Sequence, residues 1–228
     1  MKIFITGVDS GIGKALVEEA LKRGYEVYAF GLSLPKDLKG VQFVQCNLLE
    51  LERIASKLRT LMKDVKELNL IILNAGVLGS LGSIKETPIY KIKETMDINV
   101  WSNKVIMDTF LELGVKMGQV IGMSTGAVSC GKGWNVYAIS KSALNCLLKL
   151  YAGEVKETHF LSLSPGFIIT PMLEEIMYQS EEVLPAVEKI KKSKKRTPEE
   201  VASLILDLVP KFRSVESGSF VDIEDLLG

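Results

Sequence analysis

Short runs of apolar, mostly β-branched or aromatic residues alternate along the chain with longer stretches in which apolar residues recur every three or four positions. These two periods are those of buried strands and of helices with one apolar face. The short runs predict seven strands, at residues 2–6, 26–30, 41–45, 68–73, 119–124, 158–164 and 218–223. The longer stretches predict helices at residues 11–23, 49–62, 88–113 and 137–153, two short helices within 172–192, and a last helix capped by Thr197.

The alternation of strands and helices predicts an α/β fold. We expect a doubly wound, Rossmann-like parallel sheet with helices on both faces, in three layers. Residues 68–73 form a continuous apolar run, which is typical of a parallel strand buried on both faces. The connection between residues 30 and 41 is too short for a full crossover helix, so we expect a turn there. With no repeat or linker in the sequence, we expect one domain over residues 1–228.

Charge and composition narrow the classes of function. Basic and acidic residues each number 28, so no net charge attracts nucleic acid or an anionic membrane. The basic run at 189–196 lacks interleaved aromatic residues, and we expect it to be a solvated helix face and loop. Three scattered cysteines and the single His159 argue against a disulfide framework, a metal site or a serine–histidine triad. We find no secretory signal and no apolar segment of the ~18–20 residues that a membrane helix needs, and we expect a cytoplasmic protein.

A glycine-rich loop joins the first predicted strand to the first predicted helix. Glycines at this point let the backbone turn tightly and approach a pyrophosphate, and the free N–H groups at the helix start can bind its charge. The sequence therefore predicts a nucleotide site. We expect it to involve Gly7, Asp9, Ser10, Gly11, Ile12 and Gly13.

Tyr137 and Lys141 are the candidates for proton transfer. They lie four residues apart in a predicted helix and therefore share one face. A lysine ammonium favours the phenolate and should lower the pKa of the tyrosine. Ser124 ends the fifth predicted strand, where ligands bind in open parallel sheets, and can orient a substrate oxygen. Its neighbour Thr125 is the alternative for this role.

Several motifs together resemble those of the short-chain dehydrogenase/reductase family. With Thr6, the loop reads TGVDSGIG, which resembles the family's TGxxxGxG loop. The segments LNAG (73–76), INV (98–100), YAISK (137–141) and SPGFIITPM (164–172) are similar to its other motifs, in its order. RTPEEVA (196–202) and SGSFVDI (217–223) are similar to its C-terminal segments, so the resemblance covers essentially the whole chain.

The resemblance implies an enzyme that transfers hydride between NAD(P)(H) and a carbonyl or secondary alcohol. It assigns proton transfer to Tyr137, orientation of the substrate oxygen to Ser124, and binding of the nicotinamide ribose to Lys141 together with Tyr137. Asn99 would distort its helix and hold a water in a proton relay to the lysine. Further cofactor contacts are implied for Asn47, Leu48, Asn74, Ala75, Gly76, Pro165, Gly166, Ile168 and Thr170.

The sequence departs from this pattern at the residues that recognise the 2′ position of the cofactor's adenosine ribose. An acidic residue after the second strand binds the ribose hydroxyls of NAD, whereas an arginine accommodates the phosphate of NADP. Here Gly31, Leu32 and Ser33 provide neither. Ser33, Lys14 and Lys36 could approach a phosphate, so we expect a slight preference for NADP(H). Asn47 replaces an aspartate that the family usually places near the adenine.

The region 172–195 is expected to form a helical lid over a small, moderately apolar substrate. Its apolar residues are Met172, Leu173, Ile176, Met177, Tyr178 and Leu184, with Leu78, Leu81 and Trp134 as possible additions; core packing is the alternative. The resemblance also implies a homodimer or homotetramer through the helices at 88–113 and 137–153. The second of these carries an apolar stripe at Ala143, Cys146, Leu147 and Leu150, unless that stripe faces the sheet. A non-catalytic nucleotide sensor on the same fold is the alternative function.

Overall fold

The computed structural model describes residues 1–227. Its centre is one sheet of seven parallel strands in the order β3-β2-β1-β4-β5-β6-β7. The strands are β1 (Lys2–Thr6), β2 (Glu26–Gly31), β3 (Val41–Gln45), β4 (Glu67–Leu73), β5 (Lys116–Met123), β6 (His159–Ser164) and β7 (Ser219–Asp222). The predicted α/β class, parallel sheet and strand number are confirmed.

Eight α-helices accompany the sheet within the described residues. They are α1 (Gly11–Lys22), α2 (Leu51–Leu61), α3 (Ile89–Met96), α4 (Ser102–Glu112), α5 (Asn135–Glu154), α6 (Pro171–Met177), α7 (Ala186–Lys192) and α8 (Pro198–Phe212). The capping box of Thr197 and Glu200 opens α8, as the sequence TPEE predicts. No helix follows β2 before β3, so the expected turn replaces a crossover helix.

Strand alternation divides the core between the two faces of the sheet. Ile3 and Ile5 of β1 pack with α1 and α8, whereas Phe4 faces the side of α2, α4 and α5. Phe4 meets Phe110 of α4 edge to face, with ring centroids 5.2 Å apart. The helices therefore lie on both faces, and the sheet is buried between them.

The strand order reverses direction at β1, which pairs with β2 on one side and with β4 on the other. The connection after β1 runs to β2 on one side, whereas the connection after β4 runs to β5 on the other side. These two connections diverge and open a crevice at the carboxyl ends of β1 and β4. This topology places the glycine-rich loop after β1 at the mouth of the crevice.

A π-helical turn at Asp97–Trp101 separates α3 from α4, so the continuous helix predicted at 88–113 is wrong, whereas the distortion at Asn99 that the resemblance implies is confirmed. Asn99 sits in this turn, fully buried. Its side chain bonds the backbone of Val77, 22 positions away, and its backbone oxygen accepts a hydrogen bond from the Asn103 amide. These bonds favour the wider turn over a continuous α-helix.

Within residues 1–227, no helix combines the length and the apolar composition needed to cross a membrane. The same part of the chain holds no cluster of three or more metal-ligating side chains of the histidine, cysteine, aspartate or glutamate type.

Candidate active site

A cleft of about 370 Å³ lies at the carboxyl ends of the strands and brings most of the predicted site residues together. Its lining includes Gly7, Asp9, Ser10, Ile12, Asn47, Leu48, Asn74, Ala75, Gly76, Ser124, Tyr137, Lys141, Pro165, Gly166, Ile168 and Thr170. Four predicted residues do not line it: Gly11, Gly13, Ser33 and Asn99. Two of these are glycines of the loop, and Asn99 lies behind the lining.

The glycine-rich loop is shaped by close backbone packing. Gly7 has φ +71° and Gly11 has φ +55°, a region that side chains disfavour. A Cβ on Gly13 would lie 1.8 Å from the carbonyl oxygen of Gly7, so only glycine allows α1 to start this near to β1. The first turn of α1 has no side-chain cap and no acidic residue. Its free N–H groups can therefore donate hydrogen bonds to an anionic group of a ligand.

Thr6 and Asn74 brace this loop against β4. The Thr6 hydroxyl accepts the backbone N–H groups of Asn74 and Ala75, each at 3.0 Å. The Asn74 amide donates to the carbonyl oxygens of Thr6 and Gly7, each at 2.9 Å. Asn74 thus holds the loop through its side chain and contributes to the cleft wall beside it.

Tyr137 and Lys141 both lie on the buried face of α5. Their side chains border the cleft while only 7% and 4% of each residue is exposed. The Lys141 Nζ donates to the carbonyl oxygen of Met123 at 2.7 Å and lies 5.9 Å from the centroid of the Tyr137 ring. The end of β5 therefore fixes the lysine beside the tyrosine.

Burial controls the protonation of both side chains. It raises the pKa of Tyr137 to about 12, an effect that Thr125 partly opposes, and it lowers the pKa of Lys141 to about 8. The direction for Tyr137 is opposite to the one expected from the sequence, because desolvation is the largest effect on its pKa. Tyr137 is therefore a neutral phenol at neutral pH and is suited to donate a proton.

Ser124 and Thr125 differ in how their hydroxyls are used. The Ser124 Oγ is buried and has no hydrogen-bond partner among the described residues. The Thr125 Oγ accepts the N–H of Ala127 at 3.2 Å and caps a short 3₁₀ turn. A buried hydroxyl without a partner is unfavourable unless a ligand completes it, which favours Ser124 as the substrate contact.

Asn99 connects the π-helical turn to the loop after β4 and to α5. Its amide group donates to the Val77 carbonyl oxygen and to the Ser140 hydroxyl, each at 2.9 Å, and its Oδ1 accepts the Val77 N–H at 2.9 Å. A Cβ on Gly76 would lie 3.1 Å from the Lys141 Nζ and 3.2 Å from the Asn99 Oδ1. The absence of a side chain at Gly76 keeps the space between these two groups open.

The sequence motifs and this geometry agree with a direct comparison with known proteins. A family model described as short chain dehydrogenase matches residues 1–181. The chain belongs to the short-chain dehydrogenase/reductase family.

Relatives of this family member span nearly its whole length. It is 24% identical over 240 residues to benzil reductase ((S)-benzoin forming) of Bacillus subtilis (strain 168), with 98% of each chain covered. A short chain dehydrogenase family protein from Francisella tularensis subsp. tularensis SCHU S4 superposes with a TM-score of 0.81 at 22% identity, covering 97% of this chain and 96% of that one. The protein ElxO, solved with NADP bound, superposes with a TM-score of 0.80 at 23% identity and the same coverage. These two structural likenesses support the fold.

The far end of the cleft in this dehydrogenase/reductase lies beside the carboxyl end of β2. Ser33 is exposed, and its backbone N–H donates to the Asp9 Oδ1 at 2.5 Å. Lys14, which was expected to approach a phosphate, instead lies 2.7 Å from the Asp37 carboxylate. The sequence did not reveal that Asp9 reaches the end of β2, because the two positions are separated by a whole helix.

The end of the cleft beside Tyr137 has an apolar wall. It is formed by Trp134, Phe167, Met172, Leu173 and Ile176, with the Met172 Sδ 4.0 Å from the Tyr137 hydroxyl. The region 172–195 contains the two expected short helices, α6 and α7. Its residues divide between the two expected roles: α6 lines the cleft, whereas Leu184 is fully buried in the cluster behind it. Tyr178 was wrongly assigned to the pocket, since it is 87% exposed.

Proposed function

We propose that this family member is an NAD(P)(H)-dependent carbonyl reductase that also catalyses the reverse oxidation of a secondary alcohol. The observation that carries the proposal is the Ser124 Oγ, a buried hydroxyl without a partner within residues 1–227, which lines the same cleft as the neutral phenol of Tyr137. A substrate oxygen between the two would accept a hydrogen bond from each. Hydroxyl donors held in a water-poor cleft are suited to stabilise charge that develops on such an oxygen.

The cleft fits a nicotinamide dinucleotide. The uncapped start of α1 and the glycine backbone at Gly7 and Gly13 would hold the pyrophosphate, with Asn47 and Leu48 at the adenine end and Ile168 and Thr170 at the nicotinamide end. When bound, this cofactor supplies or accepts the hydride at the substrate carbon.

Side chains of this protein supply the proton that the substrate oxygen receives. In reduction, the Tyr137 hydroxyl donates its proton to the substrate oxygen as the carbonyl becomes an alcohol, while Ser124 orients that oxygen. Lys141, held by the Met123 carbonyl, places a positive charge near the phenolate that forms and so stabilises it. We assign the return of the proton to a relay that passes between Lys141 and Asn99, through the space beside Gly76.

The neutral state of Tyr137 favours the reductive direction at neutral pH. A proton donor must be protonated before the step, and burial keeps Tyr137 protonated far above pH 7. Oxidation requires the phenolate, which is scarce at that pH. We therefore propose that carbonyl reduction is the faster direction under neutral conditions.

The apolar wall supports a moderately apolar carbonyl substrate. Trp134, Phe167 and Met172 present flat or flexible apolar surfaces near Tyr137, which suit an aromatic or branched group on the carbonyl carbon. The relative named benzil reductase acts, by its name, on an aromatic diketone. Benzil and related aromatic ketones are therefore the first compounds to test.

The proposal is tested by steady-state reduction of a panel of aldehydes, ketones and benzil with NADH and with NADPH. Tyr137→Phe should lower kcat by roughly 10²-fold or more, as expected for loss of a general acid, with little change in cofactor binding. Tyr178→Phe is the matched control, because this tyrosine is exposed outside the cleft. Retention of near-normal turnover by Tyr137→Phe would contradict the mechanism, and cofactor binding without turnover of any carbonyl would favour the nucleotide sensor.

We propose a homodimer or homotetramer built through α4 and α5. The expected stripe does not turn fully toward the sheet: Leu147 packs partly against the core there, whereas Cys146 and Leu150 are exposed. Together with Ile139, Leu150 leaves apolar surface on α5 that a second subunit would cover.

A further inference from the structure

Asp9 occupies the place of a side chain that β2 lacks. In dinucleotide-binding folds, an acidic residue after the second strand binds the adenosine ribose hydroxyls. Here that strand ends at Gly31, and a Cβ built on Gly31 would lie 2.9 Å from the Asp9 Oδ1. The carboxylate of Asp9, which comes from the glycine-rich loop, therefore fills the volume next to the end of β2.

The carboxylate is held in this position and keeps room for further hydrogen bonds. The Asp9 Oδ1 accepts the backbone N–H of Ser33, which is the one hydrogen bond recorded for this side chain within residues 1–227. An ionised carboxylate offers about four lone-pair sites. Asp9 also lines the cleft together with Gly31 and Leu32, so its remaining lone pairs can face a ligand there.

Lys14, one of the two lysines expected to approach a phosphate, is not free to bind one. Lys14 lies 2.7 Å from the Asp37 carboxylate and 3.6 Å from that of Glu18, so its charge is already paired. No arginine occurs in residues 24–52, which contain the whole segment from β2 to the start of α2. A 2′-phosphate at this end of the cleft would meet the carboxylate of Asp9 without an arginine to bind it.

We propose that Asp9 makes this enzyme select NAD(H) over NADP(H). Its carboxylate binds the 2′- and 3′-hydroxyls of the adenosine ribose and repels a 2′-phosphate, in place of the missing acidic residue after β2. This inference rests on the proposed function, since it requires the cleft to bind a nicotinamide dinucleotide. It replaces the slight preference for NADP(H) expected from the missing acidic residue at 31–33 and from Ser33, Lys14 and Lys36.

The test is a titration of the protein with NADH and with NADPH in the absence of substrate, in which binding is measured by fluorescence or by calorimetry. The wild-type protein should bind NADH roughly tenfold or more tightly than NADPH. Asp9→Asn keeps an oxygen to accept the Ser33 N–H but removes the charge, and it should reduce the preference by roughly tenfold. Asp64→Asn is the matched control, because it removes one negative charge beyond the opposite end of the sheet, before β4.

A reciprocal variant separates the role of the carboxylate from distortion of the loop. Gly31 does not have a positive φ, so a side chain there is blocked mainly by Asp9 and by Val8 Cγ2 at 3.2 Å. The double variant Asp9→Ser, Gly31→Asp moves the carboxylate from the loop to the strand. It should restore the preference for NADH, and thermal unfolding of each variant checks that the fold is retained.

Three outcomes would overturn the inference. Equal or tighter binding of NADPH by the wild-type protein contradicts it directly, and so does an unchanged preference in a folded Asp9→Asn variant. Both of these outcomes leave the proposed function intact. If neither cofactor binds the wild-type protein, the proposed function fails and this inference fails with it.

Discussion

Replacing Lys141 by methionine should stabilise the protein while it removes catalysis. Lys141 is 4% exposed, and burial lowers its pKa from 10.5 to about 8. At pH 7, holding the protonated amine in the folded state therefore costs about 3 kcal/mol, at about 1.4 kcal/mol per pH unit. Methionine fills a similar volume without charge. Loss of the bond to the Met123 carbonyl offsets about 1 kcal/mol of this gain, so Lys141→Met should be more stable by about 2 kcal/mol.

The lowered pKa of Lys141 also determines how the stability difference between the two proteins changes with pH. The folded-state pKa of Lys141 is lower than the unfolded one, so the unfolded chain binds more protons between about pH 8 and 10.5. The stability of the wild-type protein therefore rises with pH across this window, whereas the variant lacks that contribution. The difference between the two should fall by about 2 kcal/mol from pH 7 to pH 9.5.

Urea unfolding of both proteins at the two pH values measures this difference. Lys149→Met is the control, because Lys149 is exposed on the same helix and its replacement should change stability by no more than about 0.5 kcal/mol. A less stable Lys141→Met variant at pH 7, or a stability difference that does not change with pH, would refute the reasoning. Either result would mean that the lysine is better solvated or better paired than its burial indicates.

Three further predictions follow from the site and the surface. For alcohol oxidation, kcat/KM should rise from pH 7 to about pH 8, because Tyr137 ionises with a pKa of about 12 while Lys141, with a pKa of about 8, keeps its charge, and reduction shows no such rise; a pH profile flat in both directions would contradict this. Gly13→Ala should destabilise the protein by at least about 3 kcal/mol in thermal unfolding, because its Cβ would lie 1.8 Å from the Gly7 oxygen, whereas Gly153→Ala meets no atom within 4 Å and should be tolerated. Leu150→Glu should shift the protein toward the monomer in light scattering if α5 forms the subunit contact, and an unchanged mass would place the contact elsewhere.

The sequence predicts the fold because the strands and helices carry local periodic patterns. Alternation of the two periods determines a parallel sheet, and the position of the glycine-rich loop after the first strand determines which edge holds the site. The hydrophobic pattern does not predict the break between α3 and α4, which only the family resemblance implies, through Asn99. The hydrophobic pattern runs through it without interruption, and the bonds of Asn99 that widen the helix go to Val77 and Ser140, which are distant in sequence.

The sequence also predicts which catalytic groups share a site but not the balance of energies between them. The spacing of Tyr137 and Lys141 places them on one face of a helix, and the expected consequence was a lowered tyrosine pKa. Burial determines the direction of the pKa shift of Tyr137 instead. How deeply Tyr137 is buried depends on packing against α6 and Phe167, which the YxxxK motif does not reveal. Likewise, the contact between Asp9 and the end of β2 depends on how the loop folds back over the strand.

Ser124 and Lys141 have a common energetic property that links stability to function. Among the residues that the structure describes, the buried Ser124 hydroxyl has no hydrogen-bond partner, and the buried Lys141 ammonium donates only to the Met123 carbonyl. Both arrangements destabilise the free protein, and both improve when a ligand supplies oxygen atoms that accept their hydrogen bonds. Part of the binding energy of substrate and ribose is therefore the relief of these unsatisfied groups. Since a ligand that binds only the folded state raises its stability by mass action, cofactor and substrate should stabilise the wild-type protein more than the Lys141→Met variant, whose site has lost one of the two groups.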